Sequence, residues 1–169
     1  METSYKNRLL RINTDANHIN KLEVFLEQIC EDYKIYDAYY GNILAANTIA
    51  FEIISGSGEK YNEPFTDIYF NSSPTGLFFT MKIHGLFLEF ASLYERVSKN
   101  MDKVGGELRT EERSMLMIKL LSDNIKLDPE GESITLVFNV TGINEPLSIQ
   151  RIELLEKYYS KLLEKEKAR

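Results

Sequence analysis

A chain of 169 residues, 43% hydrophobic and 27% charged, has the length of one domain and enough apolar surface to bury a core, which excludes disorder over most of its length. Its 26 acids against 20 bases give a formal net charge of −6, so neither nucleic acid nor an anionic membrane surface is an expected partner. The single cysteine, Cys30, excludes an intramolecular disulfide and a cysteine-rich zinc site. No apolar run approaches the roughly 20 residues that cross a bilayer, and Met1 to Lys6 carries no secretory apolar stretch, so the expected compartment is the cytoplasm.

Lys6 to Asn13 alternates Leu10 and Ile12 with Arg11 and Asn13 and reads as a strand. Thr14 and Asp15 offer an N-cap to a helix whose apolar stripe is Ile19, Leu22, Leu26, Ile29 and Tyr33. A second helix after Asp37 carries Ile43, Ala46, Ala50, Ile53 and Ile54 and stops at Ser55-Gly56-Ser57-Gly58. Phe65 to Phe70 and Leu77 to Ile83 form a predicted hairpin with a long turn over residues 71–76. Phe90 to Arg113 reads as a short helix followed by a mobile stretch around Gly105-Gly106. Thr110 caps a helix running to about Leu121, and Asn124 to Leu127 with Ser133 to Val140 close the domain as a second hairpin.

The order of these elements predicts an α+β fold: a two-layer sandwich with a mixed, mostly antiparallel sheet and helices on one face. The domain spans residues 1–143, with an amphipathic helix over 144–169 appended to it. In that helix Ile152, Leu155, Tyr159 and Leu162 recur at steps of three and four. Such a stripe must be covered, either by the protein's own sheet or by a second copy in a homodimer, and it is the candidate partner surface.

This order resembles the GHKL ATPase fold of gyrases, heat-shock chaperones, histidine kinases and mismatch-repair ATPases, and within it the bacterial anti-sigma-factor serine kinases. The likeness covers residues 8 to 140. It rests on Tyr40-Gly41-Asn42-Ile43-Leu44-Ala45-Ala46, Phe79-Thr80-Met81-Lys82, Met115 to Asp123 and Ser133 to Asn139. The resemblance implies ATP and magnesium held by three sequence boxes, and each box is broken. Where the family places a general base and, four residues on, a magnesium-binding asparagine, this chain has Ile49 and Ile53. Neither accepts a proton or ligates a hard cation. The adenine-binding Asp-x-Gly-x-Gly run reads Ile83-His84-Gly85-Leu86-Phe87, keeping only Gly85, and His84 reads as a surface residue. The glycines that open the phosphate-binding helix are replaced across Thr110 to Ser114, leaving Arg113 and Ser114 at degenerate positions behind Glu111 and Glu112.

The expectation is a pseudo-ATPase: no catalytic residue, no cofactor and no metal, with Ile49, Ile53, Ile83 and Phe87 filling the former pocket. Its function would be regulatory protein binding in bacterial signalling, the partner being a sigma factor or an antagonist-like regulator. The alternative is an ATP-dependent serine kinase with drifted boxes, using Glu52 as base and Arg113 with Lys119 on phosphate.

Overall fold

Side chains at every second position of the first strand turn to the same face, and in the computed structural model Leu10 and Ile12 of β1 (Arg8–Asn13) face the helices while Leu9 and Arg11 face out. The structure describes residues 8–35, 37–56, 65–73, 76–83, 87–99, 109–139 and 145–167. After β1 and a 3-10 turn (Ala16–His18) come α1 (Ile19–Asp32), α2 (Asp37–Gly56), β2 (Phe65–Ser73) and β3 (Gly76–Lys82). They are followed by α3 (Phe87–Lys99), α4 (Thr110–Leu121), β4 (Asn124–Asp128), β5 (Ser133–Phe138) and α5 (Glu145–Lys167).

The fold is α+β, a two-layer sandwich. Its sheet has the order β1-β2-β3-β5-β4, and all four ladders are antiparallel, so the expected parallel component is not present among the described strands. The register carries one apolar row across all five strands, buried at its centre and half-buried at its ends: Leu10 opposite Ile68, Ile68 opposite Met81, Met81 opposite Ile134, and Ile134 opposite Leu127. A second row sets Phe70 opposite Phe79, Phe79 opposite Leu136 and Leu136 opposite Ile125. A one-residue slip would turn both rows to solvent, so the core itself pins the register. Phe70, Phe79 and Phe138 add tilted and edge-on contacts at centroid separations of 5.2 and 5.9 Å.

The other face of the sheet mixes polar and charged groups with Leu9, Tyr69, Phe78 and Val137. Arg11 donates to Asp67 directly across the β1–β2 ladder, at 2.7 and 3.0 Å. Thr80 and Thr135 share a 2.8 Å hydroxyl contact across β3 and β5. Lys82 and Lys126 lie over the rings of Tyr69 and Phe78.

Several boundaries differ from the sequence reading. Asp15 does not cap α1: its carboxylate accepts the Asn17 N–H and its carbonyl the His18 N–H, closing the 3-10 turn in front of the helix. Asn71, Ser72 and Ser73 belong to β2, because the ladder continues to Ser73 opposite Gly76 and leaves only residues 74 and 75 between the strands. α3 is a full helix of 13 residues that begins at Phe87, its buried stripe being Phe87, Phe90, Leu93 and Val97. Starting that stripe at Phe90 hid its period. The stretch around Gly105-Gly106 lies outside the described residues.

α2 is apolar around most of its circumference because it is enclosed, by α1, α4 and α5 and by β5 of the sheet. The C-terminal helix therefore docks in cis on α2 and α4, and not on the sheet, whose covered face is already filled. Leu154, Leu155 and Tyr158 pack against the core. Among the described residues no helix is long and apolar enough to cross a membrane.

Candidate functional site

The positions that the resemblance assigns to its three boxes lie along α2, the end of β3, the start of α3 and the start of α4. Ile49 is 3% exposed, Ile83 0% and Phe87 8%, and all three belong to one continuous apolar core, with Ile53 half-buried against it. Burying each such side chain favours folding by roughly 1.5–3 kcal/mol. The Ile83 N–H is satisfied by the Glu132 carbonyl at 2.8 Å, which ties the end of β3 to the β4–β5 turn. His84, Gly85 and Leu86 lie outside the described residues.

At the start of α4 the backbone does not present a bare anion site. Glu111 and Glu112 occupy its first turn, Arg113 is exposed, and the Ser114 hydroxyl donates to the Thr110 carbonyl at 3.1 Å. α5 also packs against α4, with Tyr158 on the side of α5 that meets the core.

The residues of the drifted-kinase alternative are dispersed. Glu52 stands on the surface of α2 facing α1 and α5, where partial burial and the nearby Glu23 carboxylate push its pKa upward. It in turn helps raise Tyr158 and Tyr159, for both of which burial is the larger cause. Lys119 is turned to α3: its ammonium donates to the Ser98 hydroxyl at 2.6 Å and sits 4.9 Å from the centre of the Tyr94 ring. Arg113 and Lys119 are six residues apart on α4 and so project about 120° from each other.

The candidate partner stripe on α5 divides. Leu155 is packed against α2, so it is corrected from a contact surface to an internal one, while Tyr159 and Leu162 are exposed along with Leu163. Leu154 and Tyr158 both lie to one side of Leu155 around the helix, so the packed face is centred between them and Tyr159 falls about 90° away from it, whereas Leu162 shares the Leu155 face but lies two turns farther along the helix. The backbone of Ile152 lies in α5, but its side chain is outside the described residues.

One polar residue was missed in the sequence. Asn42 is 0% exposed, and among the described residues neither its side-chain oxygen nor its nitrogen has a hydrogen-bond partner. It lies seven and eleven residues before Ile49 and Ile53, within about 20° of both around α2. The same helix buries Asn47, whose amide nitrogen donates to the Ile43 carbonyl at 2.8 Å while its oxygen is unpaired. An asparagine interrupting the apolar side of a helix was the available signal. Elsewhere Cys30 is buried, and burial pushes its thiol pKa up to about 12, the setting of an inert packing residue. Among the described residues no group of three or more His, Cys, Asp or Glu side chains is gathered as for a metal ion.

In comparison with known proteins, the sequence matches no family model and no curated protein.

Proposed function

We propose that this chain is a catalytically silent relative of the GHKL ATPases, nearest in design to anti-sigma-factor serine kinases, and that it acts as a cytoplasmic regulatory module that binds a protein. The observation that carries the reading is the burial of Ile49 and Ile83 in a common core. At the positions where the resemblance calls for a base and an adenine acceptor, these side chains offer neither a proton acceptor nor a hydrogen-bonding edge. Admitting a charged nucleotide would require opening apolar packing worth several kcal/mol and desolvating phosphate against it. Support also comes from the dispersal of Glu52, Arg113 and Lys119, which leaves the alternative without an assembled set of catalytic groups.

A module without turnover works through its surface. The exposed edge of α5 at Tyr159, Leu162 and Leu163 is apolar and adjoins a helix already anchored on α2, so it supplies a rigid contact for a partner such as a sigma factor or an antagonist-like regulator.

Thermal unfolding with and without Mg-ATP tests the reading. A native-state ligand at 100 times its Kd adds about 2.7 kcal/mol, which for a chain of this size raises Tm by about 5–10 °C. No shift is expected at millimolar nucleotide. A shift of that order, lost in Arg113→Ala or Lys119→Ala, would support the kinase alternative instead.

A further inference from the structure

α1 and α5 both pack on α2. Around α2, Tyr40 is on the α1 side, Gly41 meets Leu155 of α5, and the half-buried Leu44 falls between them. The exposed Glu52 belongs to the same strip, about 20° from Gly41 around the helix.

Carboxylates line this strip. Glu23, Glu27 and Glu31, all exposed, recur every fourth residue along α1. Burial first, and then Glu27, Cys30, Glu23 and Glu31, push the Tyr40 phenol pKa upward, so this line of α1 is the one turned toward α2. The Tyr159 phenol is raised by burial and then by Glu52 and Glu23, which carries the same negative field to α5. Among the described residues none of these four carboxylates forms a salt bridge. The nearest bases in sequence are turned away. Lys21 stands two positions from Glu23, and Lys157 and Lys161 two positions on either side of Tyr159, each about 160° around its helix. Lys34, beyond the end of α1, is not paired with these acids.

The α5 border of the strip is apolar and uncovered. Tyr159 is 48% exposed, Leu162 40% and Leu163 58%. Apolar surface beside four unpaired like charges suits one kind of occupant. A helix with an apolar side and lysines or arginines along its flank would cover the first and neutralise the second. An acidic helix would add to the repulsion, and an uncharged one would bury the carboxylates' surroundings without a counter-charge.

We propose that the strip between α1 and α5 is the docking site for a basic amphipathic helix of a partner protein. Its apolar side would lie on Tyr159, Leu162 and Leu163, with its cations beside Glu23, Glu27 and Glu52. The proposal rests on the reading that the α5 edge binds a protein, and it adds the charge and form of that partner.

Fluorescence anisotropy of a labelled leucine–lysine peptide of helical amphipathic spacing, titrated with the full chain, tests it. Binding is expected in the micromolar range, at least about tenfold tighter than for a scrambled peptide of the same composition. A leucine–glutamate peptide of the same pattern should bind about 100-fold more weakly. Glu23→Lys with Glu27→Lys changes exposed side chains, so circular dichroism should be unaltered while the leucine–lysine peptide binds about tenfold more weakly. Leu163→Ser should cost about tenfold. Glu130→Lys, on the distant β4–β5 turn, should change binding less than about twofold. No binding at about 200 µM would overturn the proposal, as would equal binding of the scrambled peptide. So would a loss in Glu130→Lys as large as in Glu23→Lys with Glu27→Lys, or indifference to Leu163→Ser. A leucine–glutamate helix that binds more tightly than the lysine peptide, and is lost in Leu163→Ser, would overturn the basic partner while leaving protein binding on α5 in place.

Discussion

Leu155 of α5 sits over Gly41 of α2, its methyl carbon 3.6 Å from the place a β-carbon on Gly41 would occupy. That distance is ordinary van der Waals contact, so the helix pair has room for one methyl group and little more. Gly41→Ala is expected to stabilise the protein by about 0.5–1 kcal/mol through helix propensity. Gly41→Phe is expected to lift α5 from α2, and limited trypsin digestion should then cut at Lys157 and Lys161 many times faster than in the alanine variant.

Asn42 buries two polar atoms that have no partner among the described residues. An unsatisfied buried group costs about 1–3 kcal/mol, whereas an apolar residue of similar size carries no such cost. Asn42→Leu is therefore expected to raise stability by that amount, read as an increased urea midpoint at constant m. A marked loss of stability would instead mean that the Asn42 amide is hydrogen-bonded in solution or that leucine does not fit its place.

Glu52 makes stability depend on pH in a defined direction. Its folded-state pKa is raised, first by partial burial and then by Glu23, so the folded protein holds this proton more tightly than the unfolded chain. Stability contributed here is present below the ordinary carboxylate pKa and is lost as pH rises through the folded value. Glu52→Gln is expected to raise Tm at pH 7, with the difference from wild type vanishing toward about pH 4. A variant less stable than wild type at pH 7 would contradict this assignment.

Lys34 closes α1 in a left-handed conformation, φ 53°, with its N–H on the Glu31 carbonyl and the Ile35 N–H on the Cys30 carbonyl. These two bonds form a Schellman cap, in which this position favours glycine. Lys34→Gly is expected to stabilise the fold by about 1 kcal/mol, measurable by chemical unfolding, without changing the circular dichroism spectrum.

Much of the fold was legible because its elements have clean periods. Leu22, Leu26 and Ile29 announced α1, and the alternating apolar residues of Ser133–Phe138 announced β5. α3 was shortened because Phe87 was read as the last residue of a broken glycine box and not as the first of a helical stripe. The resting place of α5 could not be read, since its stripe suits a sheet, a helix or a second copy equally well, and only the three-dimensional enclosure of α2 selects among them. Asn42 stayed hidden for a related reason: an asparagine in a helix is unremarkable until its burial without partners is known. The isoleucines at 49 and 83 were visible from the start, and their meaning came from the resemblance and not from their chemistry.

The strand order also constrains how this chain reaches its native state. β2–β3 and β4–β5 are local hairpins, so each closes over a few residues. Joining them requires β3 to find β5, with Thr80 meeting Thr135 across two intervening helices, and β1 must reach β2 across two more. Loop-closure entropy is lost before those distant pairings form, which slows the search and delays the central ladder. Substitutions in the β3–β5 seam should therefore act chiefly on the folding rate if that seam is the nucleus, whereas changes on α5, added at the periphery, should act on the rate of unfolding.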